Sequence, residues 1–292
     1  MKSMYYLFFF SVSCLIPIFS YADGLPANHA FSYFEVGMEN ISYGETSTVR
    51  GYPLNMEAVV SNVVQRSGGY TPIGKDSGFY VQVATTLIPS AAHEQWNIQP
   101  FGVIQENERK VNWNELNVKY ASLISGTGHQ LVAGVEVTTL SFTRFSFNRA
   151  ADTAAFESAT GSTLVTPSGA IVEDSINLTA NIGYRYDSTF VTPNETTRFL
   201  GGIHVGVPVY YRVENSSLPN TSWIEYFKGY DVSANAGYGI QIFENFMVST
   251  SMELLYKFRP ETHGKAVAGG IGRIPEVTIW SARLSAGVTW VY

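Results

Sequence analysis

The sequence predicts an all-β protein: a closed, antiparallel, up-and-down β-barrel that spans a membrane. Three observations support this fold class. Alternation of apolar with polar or small residues recurs from end to end, as in strands whose side chains point to opposite faces. After the amino-terminal segment, no apolar run approaches the ~20 residues that a membrane helix needs. Charged residues make up 14% of the chain, below the roughly 25% of soluble domains, and aromatic residues make up 14%.

The chain begins with a segment typical of a secretory signal peptide. Lys2 precedes an apolar stretch that ends at the small residues Ser20 and Ala22. We predict a cleaved signal peptide over residues 1–22 and a barrel over residues 23–292. Cys14, the single cysteine, would leave with the signal, so burial and strand pairing rather than disulfides would stabilise the mature chain.

The last nine residues have the pattern of a lipid-facing strand. Leu284, Val288, Trp290 and Tyr292 share one face, and mostly small or polar residues share the other. Bacterial outer-membrane β-barrels commonly end in this way, and the strand resembles the signal that their assembly machinery selects. We therefore expect an outer-membrane location, with lipid, lipopolysaccharide and the assembly machinery as partners.

The first four strands are predicted at residues 31–44, 78–88, 96–105 and 111–124. The first of them sets Phe34, Val36 and Met38 outward. The third is interrupted by Pro100, which cannot donate a ladder hydrogen bond. The fourth alternates apolar residues with inward polar ones such as Glu115.

Six more strands complete the prediction. The fifth follows a glycine-rich turn at residues 125–128, and the others cover residues 175–186, 197–212, 230–242, 247–259 and 277–292. Pro208 in the seventh strand predicts a local bulge. An even count of ten puts both termini in the periplasm.

The connections sort into two sets. We predict periplasmic turns at residues 89–95, 125–128, 187–196 and 243–246, and long extracellular loops at residues 45–77, 148–174, 214–229 and 260–276, with a short one at 106–110. Within the first long loop, the valine pairs of residues 54–66 fit a loop helix or two extra strands. Twelve strands is therefore the alternative count. A soluble β-sandwich also alternates, but the export signal, the strand number and the terminal strand favour a barrel.

Inward positions carry both signs of charge. The predicted lumenal network comprises Glu35, Glu39, Glu115, Lys119, Glu136, Arg144, Arg185, Arg198, His204, Arg212, Asp231, Glu253, Lys257 and Arg283. It would line a pore or binding site, or it would plug the lumen by cross-pairing. The second interpretation is favoured, because a barrel of this size has room for little beyond side chains. The formal net charge of −6 disfavours a nucleic-acid partner.

No metal or cofactor site is predicted from the histidines. His204 is assigned to the lumen, His93 and His129 to the neighbourhood of periplasmic turns, and His263 to the last loop. Their spacing matches no metal site, and we expect no cofactor.

The length, signal peptide and ten strands resemble the omptin family of outer-membrane proteases, as does the cadence of Asn235-Ala-Gly-Tyr238. The resemblance implies an omptin-like barrel. Omptins use an Asp-Asp pair and an Asp-His pair to activate water, and neither adjacent aspartates nor Asp-x-His occurs here. The region following Tyr211 has the sequence Arg-Val-Glu-Asn-Ser-Ser-Leu-Pro instead.

Three functions follow as hypotheses. The first is a non-enzymatic outer-membrane barrel, either structural or a small-solute pore. The second is a surface module that binds or adheres through its loops. The third is a hydrolase, in which His263 or His204 would act with Glu253 or Glu261. The oligomeric state is left open.

Overall fold

Antiparallel strands account for most of the chain. The structure, a computed structural model, describes residues 29–124, 127–191, 196–218, 222–243, 245–263 and 273–292. The predicted signal peptide lies outside these residues. The strands are β1 (Phe31–Val49), β2 (Tyr52–Pro72), β3 (Ser77–Ile88), β4 (Ala91–Ile98), β5 (Gly102–Leu123), β6 (His129–Arg149), β7 (Ile171–Asp187), β8 (Thr197–Asn215), β9 (Ser222–Glu225), β10 (Tyr230–Phe243), β11 (Phe246–Arg259), β12 (Thr262–His263), β13 (Arg273–Ile274) and β14 (Glu276–Val291).

The first and last strands close the ring, because β1 pairs with both β2 and β14. Within the described residues, twelve strands form the sheet, and they occupy ten positions around the ring. β3 and β4 share one position, since each pairs with both β2 and β5. β9 and β10 share another beside β8. The predicted fold class and the count of ten are thereby confirmed.

Residues 45–77 do not form the long loop that the sequence predicted. β1 continues to Val49, and β2 pairs with it along its whole length, from Phe31 opposite Tyr70 to Val49 opposite Tyr52. The valine pairs of residues 54–66 put one valine on each face of this strand. The prediction failed because the outward face of β1 becomes polar at Asn40, although the strand itself continues beyond the apolar belt.

The predicted strand at residues 96–105 and the turns on either side of it are also wrong. Residues 99–101 form the turn, with Phe101 N–H donating to the carbonyl of Ile98. β4 continues in the direction of β3 after a break at Pro89, which has no N–H to donate. The residues assigned to a periplasmic turn at 89–95 therefore lie in the barrel wall, and His93 lies at its exposed outer surface.

Other predicted loops contain regular structure. The helix α1 (Thr153–Thr160) follows β6, and its Phe156 packs among apolar residues at the end of β4 and β5. β9 lies within residues 214–229, while β12 and β13 lie within residues 260–276. In the part of the chain that the structure describes, no helix is long and apolar enough to cross a membrane.

An apolar belt surrounds the outside of the barrel. Its exposed members include Phe34, Val36, Met38, Phe79, Val81, Tyr120, Leu131, Val135, Ile182, Phe199, Ile203, Val205, Val207, Ile240, Met252, Leu254 and Leu284. Aromatic rings border the belt: Tyr256 packs on Trp280 at one edge, and Phe246 packs on Trp290 at the other. Such girdles mark the two interfaces of a membrane.

The wall extends well past the belt on the side opposite the termini. β1, β2, β5 and β6 are 19, 21, 22 and 21 residues long, whereas roughly 9–11 residues suffice to cross a membrane. The outward residues of the wall beyond the belt are polar, such as Gln95 on β4 and Lys110 on β5. The barrel therefore rises out of the membrane as a polar-faced collar.

Candidate functional site: the charged lumen

The end of the lumen nearest the termini is filled by an aromatic layer. Phe31, Tyr70, Tyr80 and Phe190 are buried there, with the rings of Tyr70 and Tyr80 4.7 Å apart. The guanidinium of Arg198 lies 3.9 Å from the centre of the Phe31 ring. A cation over an aromatic face is attracted by the quadrupole of the ring, so Arg198 links this aromatic layer to the charged residues of the lumen.

Two predicted network members share one acid at this end. Asp187 binds Arg198 through two hydrogen bonds, of 3.1 and 2.5 Å, and lies 3.8 Å from Arg185. It also caps the short 3₁₀ turn that follows β7 by accepting from Thr189 N–H. The sequence prediction did not include Asp187, because it was assigned to a turn.

The centre of the lumen is held by two arginines. Arg283 on β14 lies 2.8 Å from Glu39, 2.9 Å from Glu253 and 3.9 Å from Glu115. Arg66 on β2 lies 3.2 Å from Glu35 and 3.5 Å from Glu253. Serine hydroxyls complete the cluster, because Ser281 donates to Glu39 and Ser251 donates to Glu35.

Arg66 was missed because residues 54–66 were assigned to a loop. A usable signal was present in the sequence. Leu54, Met56, Ala58, Val60, Asn62, Val64 and Arg66 are spaced by two residues, and all are buried or nearly so on the inward face. Extending the period of two through polar outward residues would have placed Arg66 in the lumen.

A third cation, Lys257 on β11, joins opposite walls. Its Nζ lies 2.6 Å from Glu136 Oε1 on β6 and 3.3 Å from Asp231 Oδ2 on β10. Asp231 also accepts a hydrogen bond from Thr179. β11 and β6 are four positions apart in the ring of ten, so this contact crosses the full lumen.

A second ionic cluster lies toward the extracellular end, above an apolar layer that contains Ile41, Trp113 and Phe142. Arg144 on β6 binds Glu45 on β1 at 2.5 Å and Glu94 on β4 at 2.8 Å. Arg109 binds Glu94 at 2.5 Å. Only Arg144 was among the predicted lumenal residues, since the other three fell in segments assigned to loops or turns.

Lys119 and His204 lie together beside the central cluster. Both line a cavity of about 80 Å³, which also touches Arg66, Asn235 and Glu253. His204 is 7% exposed. Within the described chain neither side chain forms an ion pair. The structure therefore brings together most of the predicted network but leaves these two at its margin.

Arg212 does not belong to the lumenal network. β8 has a register shift against β7 between Thr179 and Leu178, which oppose Pro208 and Tyr210. The extra residue reverses the alternation, so Tyr211 packs inward in an apolar cluster with Trp223. Arg212 is exposed and pairs with Glu214 outside the barrel. Pro208 predicted the bulge, and the bulge reverses which of the residues after it face inward.

The three histidines that the sequence analysis assigned to turns and to the last loop are not gathered into one site. His93 Nε2 lies 3.6 Å from Glu106 on the exposed wall, and His129 contacts the ring and hydroxyl of Tyr184. The side chain of His263 lies outside what the structure describes. No group of three or more potential metal ligands occurs within the described residues.

Comparison with known proteins identifies the fold. No protein-family model matches the chain, and no curated protein matches it. Among solved structures, the outer membrane protease OmpT from Escherichia coli superposes with a TM-score of 0.65 at 12% identity, covering 92% of this chain and 99% of that one. The chain has the fold of a bacterial outer-membrane β-barrel.

Two further barrels match more loosely. The outer membrane protein OprG from Pseudomonas aeruginosa gives a TM-score of 0.38 at 12% identity, covering 92% of this chain and 99% of that one. A FadL homologue from the same organism gives 0.33 at 10% identity, covering 90% of each chain. The fold and the apolar belt place the protein in the outer membrane, as the terminal strand predicted.

Leu284, Trp290 and Tyr292 all face outward, with 65%, 39% and 59% of their surface exposed. Val288 faces the same way opposite Phe34 of β1. The four residues of the predicted assembly signal thus form one lipid-facing row on the strand that closes the ring.

Proposed function

We propose that the protein is a non-enzymatic outer-membrane barrel whose lumen is closed, and that it serves as a structural scaffold rather than as a solute pore. The contact that carries this proposal is the ion pair between Lys257 and Glu136. Lys257 Nζ and Glu136 Oε1 lie 2.6 Å apart, although β11 and β6 are four positions apart in the ring. The two side chains must therefore occupy the space between these strands.

The other cross-lumen contacts support the same conclusion at different heights. Arg144 and Glu45 join β6 to β1, which are also four positions apart. Arg283 approaches Glu115 across the same number of positions. Apolar layers lie on either side of the central cluster, and each would have to be displaced before water and a solute could pass.

Pairing also argues against a catalytic role for the lumenal acids. A general acid or base must be within hydrogen-bond reach of a reacting group. Glu35, Glu39, Glu136 and Glu253 instead each contact a buried cation. Among the described residues, only the imidazole of His93, on the outer wall, lies within ion-pair distance of a carboxylate.

Solute flux into liposomes tests the proposal. Liposomes containing the purified protein should swell in arabinose or glycine no faster than protein-free liposomes. A matched set with a known open porin shows that the assay detects passage. Swelling that increases with the amount of protein would contradict the closed lumen. Hydrolysis of peptide or lipid that is lost in His204→Ala would contradict the non-enzymatic role.

A second candidate, surface binding, is favoured by the ordered extracellular end. Asp152 accepts a hydrogen bond from Val103 N–H, and Thr153 donates to the carbonyl of Ile104, so the chain before α1 is anchored to β5. A surface held in place loses little entropy on binding. Replacing residues 154–168 by a Gly-Ser linker should abolish adhesion of expressing cells while the barrel stays folded; adhesion equal to that of the unmodified protein would contradict this candidate.

A further inference from the structure

One strand of the apolar belt carries polar residues on its outer face. Between Val63 and Thr71, the outward residues of β2 are Gln65, Ser67 and Gly69. Their neighbours on β1 and β3 are apolar: Met38, Val36 and Phe34 on one side, and Val83 and Val81 on the other. Residues that pair directly share a face of the sheet. Gln65 and Ser67 therefore lie on the lipid-facing side of the wall.

The register gives the depth of these two residues in the membrane. From Phe79 at the inner edge of the belt, seven successive pairings lead to Trp280 in the outer girdle, and two more lead to Val59 on β2. In strands tilted by about 40°, each pairing changes the depth by about 3 Å and each residue by about 2.5 Å. Gln65 therefore lies about 9 Å below the outer girdle and Ser67 about 14 Å below it, within a belt about 25 Å tall.

Neither polar side chain is satisfied within the barrel. No hydrogen bond joins the Gln65 amide or the Ser67 hydroxyl to another described residue. Thr85, which is opposite Gln65, donates to Asn114 instead. Acyl chains offer no hydrogen-bond partner, so a polar group that faces them is strongly disfavoured. Serine and glutamine are typical of contacts between proteins inside a membrane. This face is therefore suited to a protein partner rather than to lipid.

The chemistry of the face matches a second copy of the same face. No charged residue occurs among the outward residues of β2 from Val63 to Thr71 or among their partners on β1 and β3, so two copies would not repel each other. An amide is both donor and acceptor, so Gln65 complements its own copy. A two-fold axis along the membrane normal keeps both copies upright and brings residues of equal depth together. Each Gln65 then meets the other one.

We propose that two copies of this chain pair through the outer face of β2, about a two-fold axis along the membrane normal. The two Gln65 amides donate to and accept from each other, and the two Ser67 hydroxyls meet near the middle of the belt. Phe34 and Val83, on either side of Ser67, pack around this polar centre. Above it, the exposed Ile88 packs on its own copy at the outer girdle. The pairing is independent of whether the lumen conducts solute.

Cysteine cross-linking in isolated outer membranes tests the proposal. In a Cys14→Ser background, Ser67→Cys treated with copper phenanthroline should give a disulfide-linked species of twice the monomer mass. Ala234→Cys is the matched control, because Ala234 is a small, exposed belt residue at a similar depth on β10, four positions away around the ring. It should give at least tenfold less cross-linked dimer. Equal cross-linking at both positions, or none at position 67, would overturn the proposal.

Replacing the amide gives a second readout. Gln65→Leu should lower the yield of Ser67→Cys cross-linking at least tenfold, and it should shift the purified protein from dimer to monomer in density-matched sedimentation. Gln65→Asn keeps an amide and should retain part of the dimer. Ala234→Leu, a change to leucine on a distant part of the belt, should leave the dimer unchanged. A dimer that survives Gln65→Leu undiminished would contradict the pairing described.

Heat-modifiable mobility on gels shows whether each variant is folded. A leucine that faces lipid does not impair a barrel, so a folded Gln65→Leu monomer isolates the interface from the fold. Should Ser67→Cys fail to fold, sedimentation of the unmodified protein and of Gln65→Leu gives the answer.

Other occupants of this face give different outcomes. Mass spectrometry identifies each cross-linked species, and an adduct of Ser67→Cys with a different protein would overturn pairing between copies. An unmodified protein that sediments as a monomer and forms no adduct would show that lipid covers the face, which also overturns the proposal.

Discussion

Lys257 on β11 and Glu136 on β6 meet across the lumen, with Nζ 2.6 Å from Oε1. Their side chains are 10% and 13% exposed, so the pair is largely removed from water. Removing one partner of a buried pair leaves an uncompensated charge, which typically costs about 3–5 kcal/mol. The contact therefore links the stability of the barrel to the proposed closure of its lumen.

Lys257→Met should lower the free energy of unfolding by about 3–5 kcal/mol, because Glu136 and Asp231 are left buried without their cation. Adding Glu136→Gln to it should recover part of the loss. Urea unfolding in lipid vesicles measures both variants. Lys110→Met, at an exposed position, is the control and should change stability by less than about 0.5 kcal/mol. If Lys257→Met changed the free energy of unfolding as little as Lys110→Met, the ion pairs described for Lys257 would be contradicted.

Arg66→Met should destabilise the protein by about 3–5 kcal/mol, whereas Arg212→Met should cost at most about 1 kcal/mol. The physical reason is burial: Arg66 contacts Glu35 and Glu253 inside the lumen, while Arg212 pairs with Glu214 in solvent. The same unfolding measurement compares them. Equal losses from the two arginines would contradict the placement of β2.

Single cysteines test the bulge in β8. In a Cys14→Ser background, Arg212→Cys should react quickly with a hydrophilic maleimide, and Tyr211→Cys should react slowly, because Tyr211 packs inward beside Trp223. Mass spectrometry of labelled whole cells gives the rates. If β8 had no bulge, Arg212 would face inward and Tyr211 outward, and the labelling rates of the two cysteines would be reversed.

The height of the collar can be measured in the same way. Gln95→Cys lies on the polar outer face of β4 and should be labelled on intact cells. Leu284→Cys lies in the apolar belt and should resist a hydrophilic reagent while reacting with a lipid-soluble one. If residues 89–95 were a periplasmic turn, Gln95→Cys would be protected until the outer membrane was permeabilised.

The loop beyond α1 should respond to acid through Glu157. Its carboxylate accepts a hydrogen bond from Leu164 N–H at 2.7 Å and pairs with Arg149, and these contacts lower the pKa of Glu157 below the ordinary range of a glutamate. The contacts are thus fully present at neutral pH and are lost as the pH falls through that lowered pKa. The amide resonance of Leu164 should titrate there and should not titrate in Glu157→Gln; a flat profile in both would exclude the contact.

The alternation of side chains was sufficient to predict the fold class, the count of ten and the belt, because each depends on which residues face lipid. It was not sufficient where the wall leaves the membrane. Beyond Asn40 the outward face of β1 is polar, so the sequence of a strand that lies in water has the polar character of a loop. Glu45, Glu94 and Arg109 were therefore not predicted to face the lumen.

Two other features depend on contacts between distant segments. The pairing of Lys257 with Glu136 joins residues 121 positions apart in sequence, and a period of two says only that both face inward. Residues 207–210 of β8 have no strand partner on one side, because β10 and β9 pair with β8 at different heights. A proline hints at a bulge, but the missing partner can be seen only in the assembled wall.

Single-channel recording in planar bilayers is the sharpest test of a closed lumen. The inserted protein should produce no stepwise current in 1 M KCl at moderate voltage, whereas a porin added afterwards to the same bilayer should produce one. Uniform, long-lived current steps from the unmodified protein would contradict a lumen closed by cross-paired side chains.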